Sequence, residues 1–156
     1  MKELMFSVFP SENFVDLGLY QFGYEQCKPA HSFGPAVRNH FLFHYIISGT
    51  GILMANDSHG VTQTYHVKSG QGFMIFPGQI TTYVADIQVP WEYVWVEFDG
   101  LRTTEILNVC GFSKDAPVYA ARSGEARKRM ADELIYHIPE AAGRKGHEGC
   151  QQPPPS

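Results

Sequence analysis

His40 and His44 stand four residues apart in the stretch RNHFLFHYIISGTG, Arg38 to Gly51. On a helix this spacing would turn both imidazoles toward one metal ion, as in the H-E-x-x-H motif. Phe41 occupies the position where that motif carries glutamate, and FLFHYII is aromatic and β-branched, which predicts a strand. Residues four apart on a strand share a face but lie roughly 13 Å apart along it. A Zn–N bond of about 2.0–2.1 Å cannot bridge that gap, so the pair is not a local chelate.

Alternation sorts Arg38, His40, Leu42, His44, Ile46 and Ser48 onto one face and Phe41, Phe43, Tyr45 and Ile47 onto the other. The second face is oily and calls for a packing layer. The first mixes charge, imidazole, hydroxyl and apolar groups, as the wall of a polar-ligand cavity does. Hydrogen-bonded core histidines would give the same pattern, and both readings stand on this strand alone.

Two further runs bear on the choice. WEYVWVEF, 91–98, sets Trp91, Tyr93, Trp95 and Glu97 on one face, against Glu92, Val94, Val96 and Phe98. TTYVA sets Thr81 beside Tyr83 in the same way. Aromatic faces interleaved with hydroxyls and charges suit a sugar, whose C–H groups stack on rings and whose hydroxyls need paired donors and acceptors. Plain core packing is the competing explanation for such aromatics.

These residues need a scaffold of short strands. Between 17 and 98, apolar and aromatic runs alternate with Gly, Pro, Asn and Asp, which predicts an antiparallel sheet folded on itself. Strands are expected near 17–24, 40–48, 50–55, 61–67, 72–76, 81–85 and 91–98, with a hairpin at NDSHG, 56–60. The period changes after EFDG. Residues 101–110, stopped by Gly111, read as a short helix, and 124–138, ahead of Pro139, as a longer amphipathic one. The resulting division is an arm over 1–16, a barrel over 17–98, a helical segment over 99–140 and, over 141–156, a disordered tail or truncated linker.

A chain of 156 residues with 44% apolar and 13% aromatic content fits one domain with a genuine core. Its net charge of -4 and lack of a long basic run give it no phosphate-binding stripe of its own. Cys27, Cys110 and Cys150 are odd in number and widely spaced, so neither a disulfide framework nor a zinc knuckle is expected. Glu3 and Pro10 interrupt the apolar residues of the amino terminus, which argues against a signal peptide or spanning helix. A cytoplasmic protein with no membrane partner is the expectation. No G-x-S-x-G elbow supports nucleophilic catalysis.

The runs HYIISGTGIL, YHVKSGQGFMIFPGQITTYVAD and PWEYVWVEFDG, in that order, resemble the sensor domain of AraC-type transcription regulators, particularly those controlling sugar use. The likeness extends over about residues 5 to 140. It implies a mostly β fold: a cupin-like antiparallel β-barrel, or jelly roll, followed by two α-helices. It also implies a small-molecule effector inside the barrel, an arm that closes over it, helices that form a homodimer, and DNA contact only through a C-terminal helix-turn-helix region. This sequence has no counterpart to that region.

On this template Tyr83, Tyr93 and Trp95 match positions that line the sugar pocket of the arabinose-responsive member. Ser48 falls where that relative has arginine, and Arg38 and His44, on the same expected face, are the candidates to replace it. The expected ligand-binding set is therefore Arg38, His44, Ser48, Tyr83, Tyr93 and Trp95. The expected dimer contact is the stripe Met130, Leu134 and Ile138; packing of that stripe on the barrel is the equally open alternative. Metal-binding cupins carry H-x-H on one strand and a later histidine where this chain has Thr81, so no metal, other cofactor or enzymatic activity is expected. The rival readings are a metal-dependent cupin enzyme, such as a sugar isomerase or dioxygenase, and a free-standing carbohydrate-binding domain.

Overall fold

A computed structural model describes the backbone of residues 4–8 and the chain over 17–134. Its strands are β1 (Leu4–Val8), β2 (Gly18–Gln26), β3 (Ser32–Val37), β4 (Phe41–Ser48), β5 (Thr50–Asn56), β6 (Thr62–Lys68), β7 (Gln71–Ile75), β8 (Ile80–Ala85) and β9 (Glu92–Asp99). Helix α1 (Thr103–Val109), the short β10 (Val118–Ala120) and α2 (Gly124–Asp132) follow. All the strand ladders are antiparallel. One sheet runs β1-β2-β9-β4-β7-β10 and the other β3-β8-β5-β6, so the mostly β jelly roll with two helices is observed.

The expected strands all form, and three more appear. β1 lies within the stretch read as an arm and pairs with β2. β3 contains Gly34-Pro35, which argues against a strand interior, but it lies at a sheet edge. Its register with β8 breaks between Phe33 and Ala36, around that dipeptide. β10 is only three residues long.

Alternation along β4 and β9 separates two clusters. Leu42, Ile46, Phe73, Ile75, Tyr93 and Trp95 face Leu53, Val67 and Tyr83 between the sheets. Phe41, Phe43, Tyr45, Val94 and Val96 project from the other side of the six-stranded sheet, where Leu107 and Leu134 cover them. Fully burying such a side chain contributes about 1.5–3 kcal/mol, so this outer layer fixes the six-stranded sheet and, with it, what the inner face presents.

Two glycines after β4 close the barrel. Gly49 has φ +79°, and a Cβ there would stand 2.1 Å from the Pro90 carbonyl oxygen. A Cβ on Gly51 would meet the Trp91 indole at 2.5 Å. Trp91 is in turn anchored by its Nε1, which donates to the Val67 carbonyl at 2.9 Å.

The helical expectations meet the structure unevenly. Ser123 accepts a hydrogen bond from the Ala126 backbone and starts α2. Leu134 is buried against the outer face of the six-stranded sheet, with Met130 half-buried beside it. The stripe expected to meet a second subunit thus spends Leu134 on the barrel, because the outer aromatics of β4 and β9 need a cover. Ile138 and the tail over 141–156 lie outside the described residues, as does Cys150. Cys27 and Cys110 are free thiols.

Candidate functional site: the inner face of the six-stranded sheet

Strand registry places the site in rows. Glu25, Tyr93 and Ile46 align across β2, β9 and β4. The next row holds Gly23, Trp95, His44 and Phe73, and the one after it Gln21, Glu97, Leu42 and Ile75. The four-stranded sheet faces them with Phe33, Tyr83 and Leu53 in one row and Thr81 with Ala55 in the next.

His44 is the centre of this arrangement. It is 1% exposed, stacked on Phe73 with ring centroids 4.6 Å apart, and 4.9 Å from both Tyr83 and Tyr93. Among the described residues, its Nδ1 has no hydrogen-bond partner. Burial pushes its pKa well below the ordinary 6.5, and the positive charge of Arg38 pushes it the same way. The imidazole is therefore neutral, with one polar atom that the described residues leave unsatisfied.

The surrounding tyrosines are also held in their neutral forms. Burial raises the Tyr83 pKa, opposed by the charge of Arg38 and by a hydrogen bond from its guanidinium. Phe33 stacks on Tyr83 at 5.4 Å, and the Arg38 Cζ stands 5.3 Å from the Phe33 ring centroid, within cation–π range. Tyr93 is raised well above 10 chiefly by burial, and its hydroxyl donates to Glu25 Oε2 at 2.9 Å. His31 Nε2 lies 3.3 Å from Glu25 Oε1, close enough to pair by charge when protonated but misaligned for a hydrogen bond. The Cys27 thiol is pushed up to about 12, mainly by burial and then by Glu25, so it is no nucleophile at neutral pH.

Beyond Trp95, Glu97 is 5% exposed and accepts a hydrogen bond from Gln21 Nε2. His40 Nδ1 lies 3.0 Å from Glu97 Oε1, and Tyr20 packs over the His40 ring at 4.4 Å. The two histidines of the opening pair thus serve different neighbours: His40 meets Glu97, and His44 sits in an aromatic cage. Among the described residues, no three His, Cys, Asp or Glu side chains converge on a common point.

Five of the six expected ligand residues, Arg38, His44, Tyr83, Tyr93 and Trp95, gather in this region, and Ser48 does not. A break in register between Ile46 and Ser48 reverses the alternation, so Ser48 pairs with Glu92. Its hydroxyl donates to Glu92 Oε2 at 2.9 Å on the outer side of the sheet. There Tyr24 also donates to Glu92, and burial followed by that carboxylate raises the Tyr24 pKa to about 12. Glu25 and Gln21 were not singled out in the sequence, although the alternation Gln21, Gly23, Glu25 against Phe22 and Tyr24 carries the signal.

Residues 18–149 match the family described as the AraC-like ligand binding domain. The chain belongs to that family. Among curated proteins it is 31% identical over 126 residues to the Msm operon regulatory protein of Streptococcus mutans, covering 81% of this chain and 43% of that protein. It is 29% identical over 121 residues to the raffinose operon transcriptional regulatory protein RafR of Pediococcus pentosaceus, covering 76% and 42%. The chain thus spans less than half the length of either relative. A solved structure of Bacillus subtilis oxalate decarboxylase is similar at 15% identity with a TM-score of 0.47, over 83% of this chain and 45% of that one. At that level of likeness no activity is transferred.

Proposed function

We propose that this domain senses a sugar or sugar derivative on the inner face of the six-stranded sheet and serves as the effector-binding part of a cytoplasmic transcription regulator. One observation carries the reading: buried His44, its Nδ1 without a partner among the described residues, lies between Tyr83 and Tyr93. An unsatisfied buried polar atom costs about 1–3 kcal/mol, and a ligand hydroxyl donating to Nδ1 would offset that cost. The name of one of the two regulators it matches, that of a raffinose operon, favours a sugar over other small polar ligands.

Arg38, Tyr83 and Tyr93 supply donors and acceptors around that atom, and Trp95 supplies a ring face. The role is binding without catalysis. Binding would shift the domain between two arrangements, and the coupling equals the ligand's difference in affinity for them. The DNA contact belongs to sequence outside this chain. Homodimerisation is assigned to the α2 segment, with half-exposed Met130 as the contact and Leu134 holding the segment to the barrel. Light scattering tests this: Met130→Glu should lower the mass of a folded dimer to that of a monomer, and an unchanged mass contradicts it.

The sensing role is tested by calorimetry and thermal shift over a panel of mono- and oligosaccharides. At least one sugar should raise the melting temperature and saturate; ligand at 100 Kd adds about 2.7 kcal/mol. A demonstrably folded protein that binds none of them contradicts the reading.

A further inference from the structure

Asp115, in the turn between α1 and β10, grips the tip of the β5–β6 hairpin, which belongs to the other sheet. Its Oδ1 accepts from the Ser58 backbone N–H at 3.0 Å and from the Ser58 hydroxyl at 2.9 Å, and that hydroxyl also stands 2.7 Å from Oδ2. The Ser58 N–H and then its hydroxyl lower the Asp115 pKa, so the carboxylate is ionised at neutral pH and the contacts are charge-assisted hydrogen bonds.

Both turns are stiffened from within. At the hairpin tip, Asp57 Oδ1 accepts from the N–H groups of His59 and Val61, and its Oδ2 from Gln63 Nε2. The other turn is closed on itself, since Ala116 N–H donates to the Ser113 carbonyl and Ser113 N–H to the Ala116 carbonyl. A shift of one turn is therefore carried to the other through the carboxylate and is not absorbed by slack loops.

Each turn also belongs to a segment that matters elsewhere. In the hairpin, Leu53 pairs with Tyr83 of β8 and with Tyr65 of β6, only three residues, roughly 10 Å, from the end of β5. Past Asp115, the Pro117 carbonyl accepts from Met74 N–H, and β10 makes three pairs with β7. Ala121 N–H then donates to Gly70, and Ser123 caps α2. With β10 so short, the hold of Asp115 on Ser58 is a substantial part of what fixes the entry to α2.

We propose that the Asp115–Ser58 clasp is a conformational link that sets the placement of α2 from the opposite sheet, so that a shift of the β5–β6 hairpin is passed to the helical segment. Its regulatory use rests on the sensing reading: a ligand meeting Tyr83 would press on the strands of the hairpin, and the clasp would carry that displacement to α2. The link itself is tested without any ligand.

The test is amide hydrogen exchange at pH 7 on the full 156-residue chain, comparing wild type with Asp115→Ala, Ser58→Ala and the double variant. Opening the clasp should speed exchange over residues 118–132 by about three-fold or more, while β4 and β9 keep their wild-type protection. Ser58→Ala is the decisive variant, because Ser58 lies 60 or more residues away in sequence from the segment it is expected to loosen. The double variant should loosen 118–132 no more than Asp115→Ala does, since both changes open the same contact. Both positions are exposed, and Ser58→Ala carries the test by itself if Asp115→Ala fails to fold. Faster exchange confined to 56–62 and 113–117, with 118–132 unchanged, overturns the proposal, and so do additive effects in the double variant. A failed sugar screen alongside the expected exchange pattern removes the regulatory use and leaves the link; sugar binding without that pattern removes the link and leaves the sensing role.

Discussion

The two faces of β4 and β9 are built from the same strands and have opposite characters. Outward, Phe43 packs edge-on against Phe112 and Tyr119, among residues covered by Leu107 and Leu134. Inward, the alternate residues His44, Tyr93, Trp95 and Glu97 bring a nitrogen without a partner among the described residues, a hydroxyl and charge into the space between the sheets. A face selected for stability alone would resemble the outer one, because buried polar groups cost free energy unless they are satisfied. Under the proposed sensing role, the outer layer serves stability alone, and the inner face combines core packing with ligand recognition.

The largest test of that division is Phe43→Ala. Removing a buried phenyl group typically costs about 3–5 kcal/mol, so urea denaturation should show a loss of that order. Ligand affinity per folded molecule should be unchanged. A stable variant that loses binding would break the distinction between the faces.

The inner counterpart, His44→Phe, should behave differently. Deleting an unpaired buried nitrogen while keeping a ring should leave stability at pH 7 unchanged or raise it by up to about 1–2 kcal/mol. The pH profile sharpens this expectation. The folded pKa of His44 lies well below 6.5, so the folded state keeps the imidazole neutral while the unfolded chain takes up a proton as pH falls through 6.5. The contribution of His44 is thus fully present above pH 6.5 and is lost below it, at up to about 1.4 kcal/mol per pH unit until the folded pKa is reached. In His44→Phe the stability curve should be flatter below pH 6.5 by that amount; an unchanged slope would show that His44 is not held neutral.

The smallest expected effect separates the two sides at a single position. Ser48→Ala removes an exposed hydroxyl bound to Glu92 on the outer side. It should change stability by less than about 0.5 kcal/mol and leave ligand affinity unaltered. A clear loss of affinity would return Ser48 to the inner wall.

Most of the fold was legible because alternation is a local signal: β4, β8 and β9 form within a residue or so of where their patterns place them. β3 was hidden by Gly34-Pro35, which an edge strand accommodates, and β10 was too short to show a period. The site was half legible for the same reason. His44, Tyr93 and Trp95 follow from counting by twos, whereas Ser48 fails because the register break after Ile46 shifts the count by one. Glu25 lies on the face that the alternation of β2 marks, but its contact with Tyr93 depends on the pairing of β2 with β9, across 68 residues of chain.

The central claim is that ligand meets the inner face at His44. Isothermal titration of the tightest-binding sugar of the panel into wild type, His44→Phe and Phe43→Ala tests it directly. The account predicts a loss of at least about ten-fold in His44→Phe, equivalent to about 1.4 kcal/mol, with affinity retained by folded Phe43→Ala. Wild-type affinity in folded His44→Phe would contradict it.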